Sequence, residues 1–303
     1  MTPAPRAGRR PVGAPAYYLG RPASVWLAKA RRTARPSPVP RPPETTGMKA
    51  GPMVFAGQVA LITGASHGIG AATARLLASL GAAVAVNYCR DAATATAVAD
   101  DIRAAGGRAV PFGADVTDAT AVDRLIADIT ATLGPVDVLV LNAAGIVRPS
   151  RIPFMQMTHD ALERAVLAQL RAVMLPARAF GAVMAAAGAG SIVVVSSGLA
   201  RDPQPGFADL AVAKAAIEDA SRAMARELGP HGVRVNIVAA GPTLTRSTAW
   251  ASDEDFRRWA ARTPLGRNAT PGDVAGAIAL LASPLAGFCT GACLPASGGV
   301  IMS

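Results

Sequence analysis

The chain is poor in several residue types, and each shortage excludes something. Only three cysteines, Cys89, Cys289 and Cys293, occur in 303 residues. They form no disulfide framework and no metal-ligand set, and they suit a reducing, cytoplasmic setting. Aromatic residues make up 4% of the chain, and there are just three tyrosines, Tyr17, Tyr18 and Tyr88. Acidic residues are almost missing from residues 1–52, where ten Lys/Arg face only Glu44. That segment holds nearly all of the formal charge of +10, so residues 53–303 are close to neutral. A neutral body offers no general electrostatic case for nucleic acid. Long apolar runs are also scarce. The stretch 172–197 is interrupted by Pro176, Arg178 and glycines, which reads as a helix followed by a buried strand, not a membrane span.

Residues 1–52 are rich in Pro, Arg and Ala and show no hydrophobic periodicity, the composition of a disordered basic leader. They lack the apolar core of a secretory signal, and their prolines break the amphipathic helix of a transit peptide. Met48 and Met53 would make natural starts. Residues 53–303 then form one domain, with no repeat or linker to divide it.

From Val54 onward, short apolar runs alternate with helical segments. Strands are expected at Val59–Thr63, Ala83–Asn87, Ala109–Phe112, Val136–Leu141, Ser191–Val195, Arg234–Val238 and near 293–295. Helices are expected at Ile69–Leu80, 91–105, 118–132, 158–186, 209–228 and 271–282. This alternation predicts an α/β fold with one doubly wound parallel sheet covered by helices on both faces.

The run Thr63-Gly64-Ala65-Ser66-His67-Gly68-Ile69-Gly70 follows an expected strand and opens an expected helix. Its glycines let the backbone approach a pyrophosphate, and the helix N-terminus supplies N–H donors. At the end of the second strand, an acid would hold the ribose hydroxyls of NAD. Asn87 stands there instead, with Arg90 just beyond and His67 in the glycine turn. A guanidinium can grip a phosphate with two hydrogen bonds, so NADP(H) is favoured over NAD(H), although Asp91 offers Arg90 an alternative partner.

Together with Asn142-Ala143-Ala144-Gly145, Ser196-Ser197 and Lys214, the glycine run resembles the short-chain dehydrogenase/reductase family in order and spacing. The resemblance spans about 55–301 and is closest to the 3-oxoacyl-(acyl carrier protein) reductase and ketoreductase branch. Pro264-Leu265-Gly266-Arg267, Thr290-Gly291 and Ser297-Gly298-Gly299 are further landmarks. The resemblance implies a Rossmann-type fold and hydride transfer between a nicotinamide and a carbonyl or hydroxyl substrate, small or an acyl thioester. It implies that Asp115 and Val116 contact the adenine, and that Asn142, Ala143 and Gly145 brace the sheet beneath the cofactor. Thr245, in a loop beginning Gly241-Pro242, would contact the nicotinamide carboxamide. Ser197 would polarise the carbonyl, and Lys214 would hold the nicotinamide ribose. Gln169 stands at the position of the family's Asn.

The family's Tyr-x-x-x-Lys departs most. Here the segment reads Leu210-Ala211-Val212-Ala213-Lys214, and residue 210 lies one helical turn before Lys214 on the same face. Its apolar side chain cannot donate a proton, and losing a positioned general acid costs about 10²–10⁴-fold in rate. Neighbouring Asp209 is expected to be exposed and to point elsewhere. His159 and His231 stand outside the motif positions. Three readings follow: an atypical oxidoreductase whose proton comes from Ser197, water or substrate; a silent cofactor-binding subunit beside an active homologue; or a non-redox cyclase or dehydratase in the same pocket. The resemblance implies pairing through the helices at 158–186 and 209–228 into a homodimer or homotetramer. Trp250, Phe256 and Trp259 belong either to a mobile lid over 245–262 or to a packed short helix. Arg148, Arg151 and Arg201 read as solvated loop arginines or as contacts for an acidic group.

Overall fold

The computed structural model describes residues 53–145 and 151–302. The basic leader, Tyr17, Tyr18 and Arg148 lie outside them. Seven strands form one sheet: β1 (Val59–Ile62), β2 (Ala83–Tyr88), β3 (Arg108–Gly113), β4 (Val138–Leu141), β5 (Gly190–Ser197), β6 (Val233–Ala240) and β7 (Cys293–Ala296). Their order is β3-β2-β1-β4-β5-β6-β7, and every pairing is parallel. All four residues of β1 (Val-Ala-Leu-Ile) and of β4 (Val-Leu-Val-Leu) are buried, as expected of strands covered on both faces.

The long helices are α1 (Gly68–Ser79), α2 (Ala92–Ala104), α3 (Ala119–Thr132), α4 (His159–Ala187), α5 (Ala208–Leu228), α6 (Asp253–Arg262) and α7 (Pro271–Ala282). One core joins α1, α2 and α7 to the sheet through Ala74, Leu77, Val98, Ile102, Val274 and Ile278. The opposite core joins α3, α4 and α5 through Leu125, Ile129, Val173, Phe180, Met184 and Ile217. Among the described residues α4 alone is long and apolar enough to cross a membrane, and it packs one side into this second core. The α/β expectation holds, with element ends moved by a few residues. The chief shift is at β5 and β6, which run on to Ser197 and Ala240 and carry the end of the strand into the cleft.

The chain steps outward from β1 to β2 and β3, then returns to lay β4 on the other side of β1. At such a reversal the loops leaving the two central strands diverge and open a crevice beyond their C-terminal ends.

Arg234 secures the far side of the sheet. From β6 its guanidinium donates to the carbonyls of Leu281 (2.8 Å), Ala282 (2.9 Å), Ser283 (3.2 Å) and Ala286 (3.0 Å), and to Ser191 Oγ (3.0 Å). A cation with a planar fork thus answers the carbonyls left unpaired where α7 ends. Replacing Arg234 by Met should lower stability by about 3 kcal/mol in urea unfolding, since several buried carbonyls lose their donor. Arg234→Lys should recover only part of this, because a compact ammonium cannot span the same acceptors.

Candidate functional site

The crevice is built on a small set of buried hydrogen bonds. Thr63 Oγ1 accepts the N–H groups of Asn142 (3.0 Å) and Ala143 (3.0 Å). The Asn142 carboxamide donates back to the carbonyls of Thr63 (2.9 Å) and Gly64 (3.0 Å). From β2, Asn87 Oδ1 accepts Gly64 N–H (3.2 Å) and its Nδ2 lies within reach of the Phe112 and Ala114 carbonyls. The ends of β1, β2, β3 and β4 are therefore tied to one another at the glycine turn. A Cβ on Gly70 would fall 2.5 Å from the Gly64 carbonyl and 2.6 Å from Asn142 Nδ2, so the turn closes only with glycine there. A Cβ on Gly145 would overlap the Ala168 carbonyl of α4. The Asn142–Gly145 loop lies directly on that helix.

The first turn of α1 has free donors. Its N-cap, His67, makes no side-chain cap, and no acid follows in the first turn. By contrast α2, α3, α4, α6 and α7 are capped by Asp91, Asp118, Thr158, Ser252 and Thr270. An uncapped helix start beside Ser66, Gly68 and Ile69 fits a pyrophosphate, which would take those N–H groups. Thr245 faces this turn, its Cγ2 lying 3.5 Å from where a Gly68 Cβ would stand.

Around the second strand the structure divides the expected roles. Asn87 is fully buried and its carboxamide is spent on the protein's own backbone. Arg90 is exposed, and Asp91 does not take it: Asp91 caps α2 and faces Arg246 at 3.4 Å. Asp115 accepts from the N–H and hydroxyl of Thr117, which hold its carboxyl below the usual range, while Val116 is buried in the core.

At the other end of the crevice, Ser197 closes β5 and its hydroxyl accepts Leu199 N–H at 3.3 Å. Lys214 is buried in α5 and donates to the Val195 carbonyl at 3.0 Å. Among the described residues that is one hydrogen-bond partner for three ammonium donors, leaving two that could serve a ribose. Leu210, one turn earlier in α5, is half-buried. Asp209 is not exposed as the sequence suggested: its side chain is 3% exposed and accepts Leu210 N–H at 2.7 Å. As the second residue of α5 it turns back under the helix start. Gln169 is 1% exposed, and its Oε1 has no hydrogen-bond partner among the described residues.

A buried charge cluster beneath Lys214 escaped the sequence reading. Glu218, 3% exposed, accepts from Ser196 Oγ at 2.8 Å. It also faces Arg222 at 3.3 Å and Arg201 at 3.6 Å. The signal was present: Leu210, Lys214 and Glu218 are spaced by four and share a helix face. Arg201 is accordingly not a freely solvated loop residue. Burial pushes the Lys214 ammonium down to about 8, with the Glu218 carboxylate acting the other way.

Because this lysine binds its proton more weakly when folded, its charge costs stability below pH 8. That cost is relieved as pH rises from about 8 towards the unfolded value of 10.5. Relative to Lys214→Met, the native chain should gain on the order of 2–3 kcal/mol between pH 7 and pH 10. Paired urea titrations measure this, and a difference between the two proteins that stays constant with pH would contradict it.

Sequence and structure comparisons agree with this geometry. Residues 64–301 match the family model described as enoyl-(acyl carrier protein) reductase. The chain is 42% identical over 245 residues to the cis-4-hydroxycyclohexanecarboxylate dehydrogenase of Sinomonas cyclohexanicum, covering 81% of this chain and 97% of that protein. It is 37% identical over 246 residues to a 3-oxoacyl-(acyl carrier protein) reductase of Synechocystis, covering 81% and 97%. Among solved structures, a putative NAD(P)-dependent gluconate 5-dehydrogenase from Beutenbergia cavernae with bound NADP superposes with a TM-score of 0.76 at 36% identity, covering 84% and 100%. Taken together, these matches show that the chain belongs to the short-chain dehydrogenase/reductase family.

Proposed function

We propose that this protein is an NADP(H)-binding member of that family, acting on the carbonyl or hydroxyl group of a small molecule or acyl thioester, with ordinary catalysis impaired at residue 210. The observation that carries this reading is Leu210, seated one turn before Lys214 where the family places its tyrosine. When bound, the nicotinamide supplies or accepts the hydride. Ser197 holds the substrate oxygen, and Lys214, buried with spare donors, holds the ribose. Reduction also requires a proton on that oxygen. Leu210 has none to give, and Tyr88, at the end of β2, is occupied against Gly113. The proton then comes from the Ser197 hydroxyl or from water, a slower route than a phenol held beside an ammonium.

The activities of the relatives support hydroxyl/carbonyl chemistry, and the bound NADP of two gluconate 5-dehydrogenase structures supports that cofactor. Arg90 is exposed and unpaired with Asp91, which faces Arg246, and this supports NADP over NAD; within the protein its charge acts on Asp115 and Cys89. A second reading, a silent subunit that binds cofactor within a hetero-oligomer, is favoured by the intact frame around an apolar residue 210. Leu167, Met174 and Val183 on α4 and Val212 on α5 are exposed, which supports assembly through these helices. Three free thiols suit a cytoplasmic setting, and residues 1–52 are proposed to be a leader outside the domain.

Two measurements test this. NADPH oxidation with β-ketoacyl thioesters and cyclic ketones should be slow in the native chain, and Leu210→Tyr should raise it by about 10²–10⁴-fold. Comparable turnover by both proteins would show that residue 210 is not limiting. Arg90→Ala should weaken NADPH binding about tenfold, as loss of a charge-assisted phosphate contact requires. NADH binding, followed by the same nucleotide fluorescence, should hardly change.

A further inference from the structure

The segment that joins Ser197 to Leu210 carries a feature that hydride transfer does not use. Four aromatic rings run in a chain. Phe207, three residues before Leu210, lies 5.9 Å from Trp250. Trp250 lies 5.8 Å from Trp259, and Trp259 lies 5.3 Å from Phe256. The sequence left these aromatics as lid or packing. The structure packs them on one another, with α6 supplying Phe256 and Trp259. Against these rings stands Arg151, its guanidinium carbon 4.3 Å from the centroid of a Trp250 ring.

Arg151 is exposed, yet three observations distinguish its setting from that of an ordinary loop arginine. Its φ is +53°, which makes it the one non-glycine residue with left-handed backbone among the described residues. Such strain persists only where the surroundings impose it, and it collects at ligand-contacting positions. Its backbone packs on the segment joining Ser197 to Leu210, for a Cβ on Gly206 would lie 3.5–3.6 Å from Arg151 main-chain atoms. Beside it, Trp250 Nε1 is buried with no hydrogen-bond partner among the described residues. A buried indole N–H normally finds an acceptor.

An orphaned indole N–H and a stacked guanidinium on one ring are both donors. A group that only accepts, planar and anionic, satisfies both, and a carboxylate has that chemistry. One carboxylate of the protein, Asp255, feels the Arg151 charge, but it makes no ion pair with it: it is bonded to the N–H and hydroxyl of Ser252 and faces Arg258 at 3.7 Å. Stacking on Trp250 also holds the fork flat, so little side-chain freedom is lost when a ligand binds.

We propose that Arg151 and Trp250 form a carboxylate-recognition site, and that the substrate is a compact hydroxy or oxo carboxylic acid whose apolar body lies along Phe207 and Trp250. This rests on the reading of the cleft as a carbonyl/hydroxyl site and adds the substrate's charge and shape. Arg151 is a specificity-determining residue in this scheme and takes no part in proton or hydride transfer.

The test uses the full chain with NADP⁺ present and reads tryptophan fluorescence during titration with cyclohexanecarboxylate or its neutral amide. The acid should bind at least tenfold more tightly than the amide. Arg151→Asn removes the guanidinium while keeping a residue that tolerates left-handed backbone, and it should abolish that preference without changing NADPH affinity. Arg151→Lys should restore only part of it. Equal binding of acid and amide by the native chain, absence of any response, or an acid preference that survives in Arg151→Asn would each overturn the proposal. A kinetic arm in the Leu210→Tyr background compares 4-oxocyclohexanecarboxylate with its methyl ester. There, Arg151→Asn should raise KM for the acid alone and leave kcat unchanged. If the Tyr variant turns over neither ketone, the reductase reading fails while the binding titration still decides the carboxylate site.

Discussion

Two carboxamides hold the active end of this protein together. Asn142 binds the carbonyls of Thr63 and Gly64, and Asn87 binds the Gly64 N–H from the opposite side. A parallel sheet leaves unpaired backbone groups at its C-terminal edge, and the strand reversal between β1 and β4 parts the loops just there. Side-chain amides bridge that gap because each offers both donors and an acceptor. With the edge stitched, the glycine turn is held open and α1 begins without a cap of its own. The uncapped start of α1 and the seat of Thr245 across the turn follow from that geometry.

Lys214 depends on a second buried arrangement. An ammonium in this position would be expelled if it stood alone, and burial already weakens its hold on the proton. Glu218 offsets the loss, and is itself kept by Ser196, Arg201 and Arg222. The lysine, the glutamate and the strand end that carries Ser197 thus form one electrostatic unit. Leu210 lies one turn before Lys214 on the same helix, and its apolar side chain occupies that face without breaking the unit.

The aromatic cluster is organised differently. Its residues come from distant parts of the chain: Arg151 after β4, Phe207 before α5, Trp250 before α6. Ring contacts hold them together, a less directional kind of contact than the amide hydrogen bonds at the glycine turn.

Most of the fold was legible in the residues themselves. Buried parallel strands read as unbroken apolar runs, and helices as four-residue periodicity, because both patterns are local. The glycine turn, Ser197, Lys214 and the odd Leu210 were legible for the same reason: their spacing along the chain is their signature. Other features needed the folded chain. Asn87 was read as a cofactor residue, yet its carboxamide is committed to Gly64 just past β1, Phe112 in β3 and Ala114 just past β3. Asp209 looked exposed from its position near a helix start, but tertiary packing buries it. Arg234, Glu218 and the Arg151–Trp250 pair gave little or no sign of their partners. Burial and long-range pairing are properties of which segments meet, and local pattern carries no record of that meeting. By itself, then, the sequence determined the α/β scaffold and the family. Only the tertiary structure decided which polar groups are spent inside the protein and which remain free for a ligand, because that depends on contacts between segments far apart in the chain.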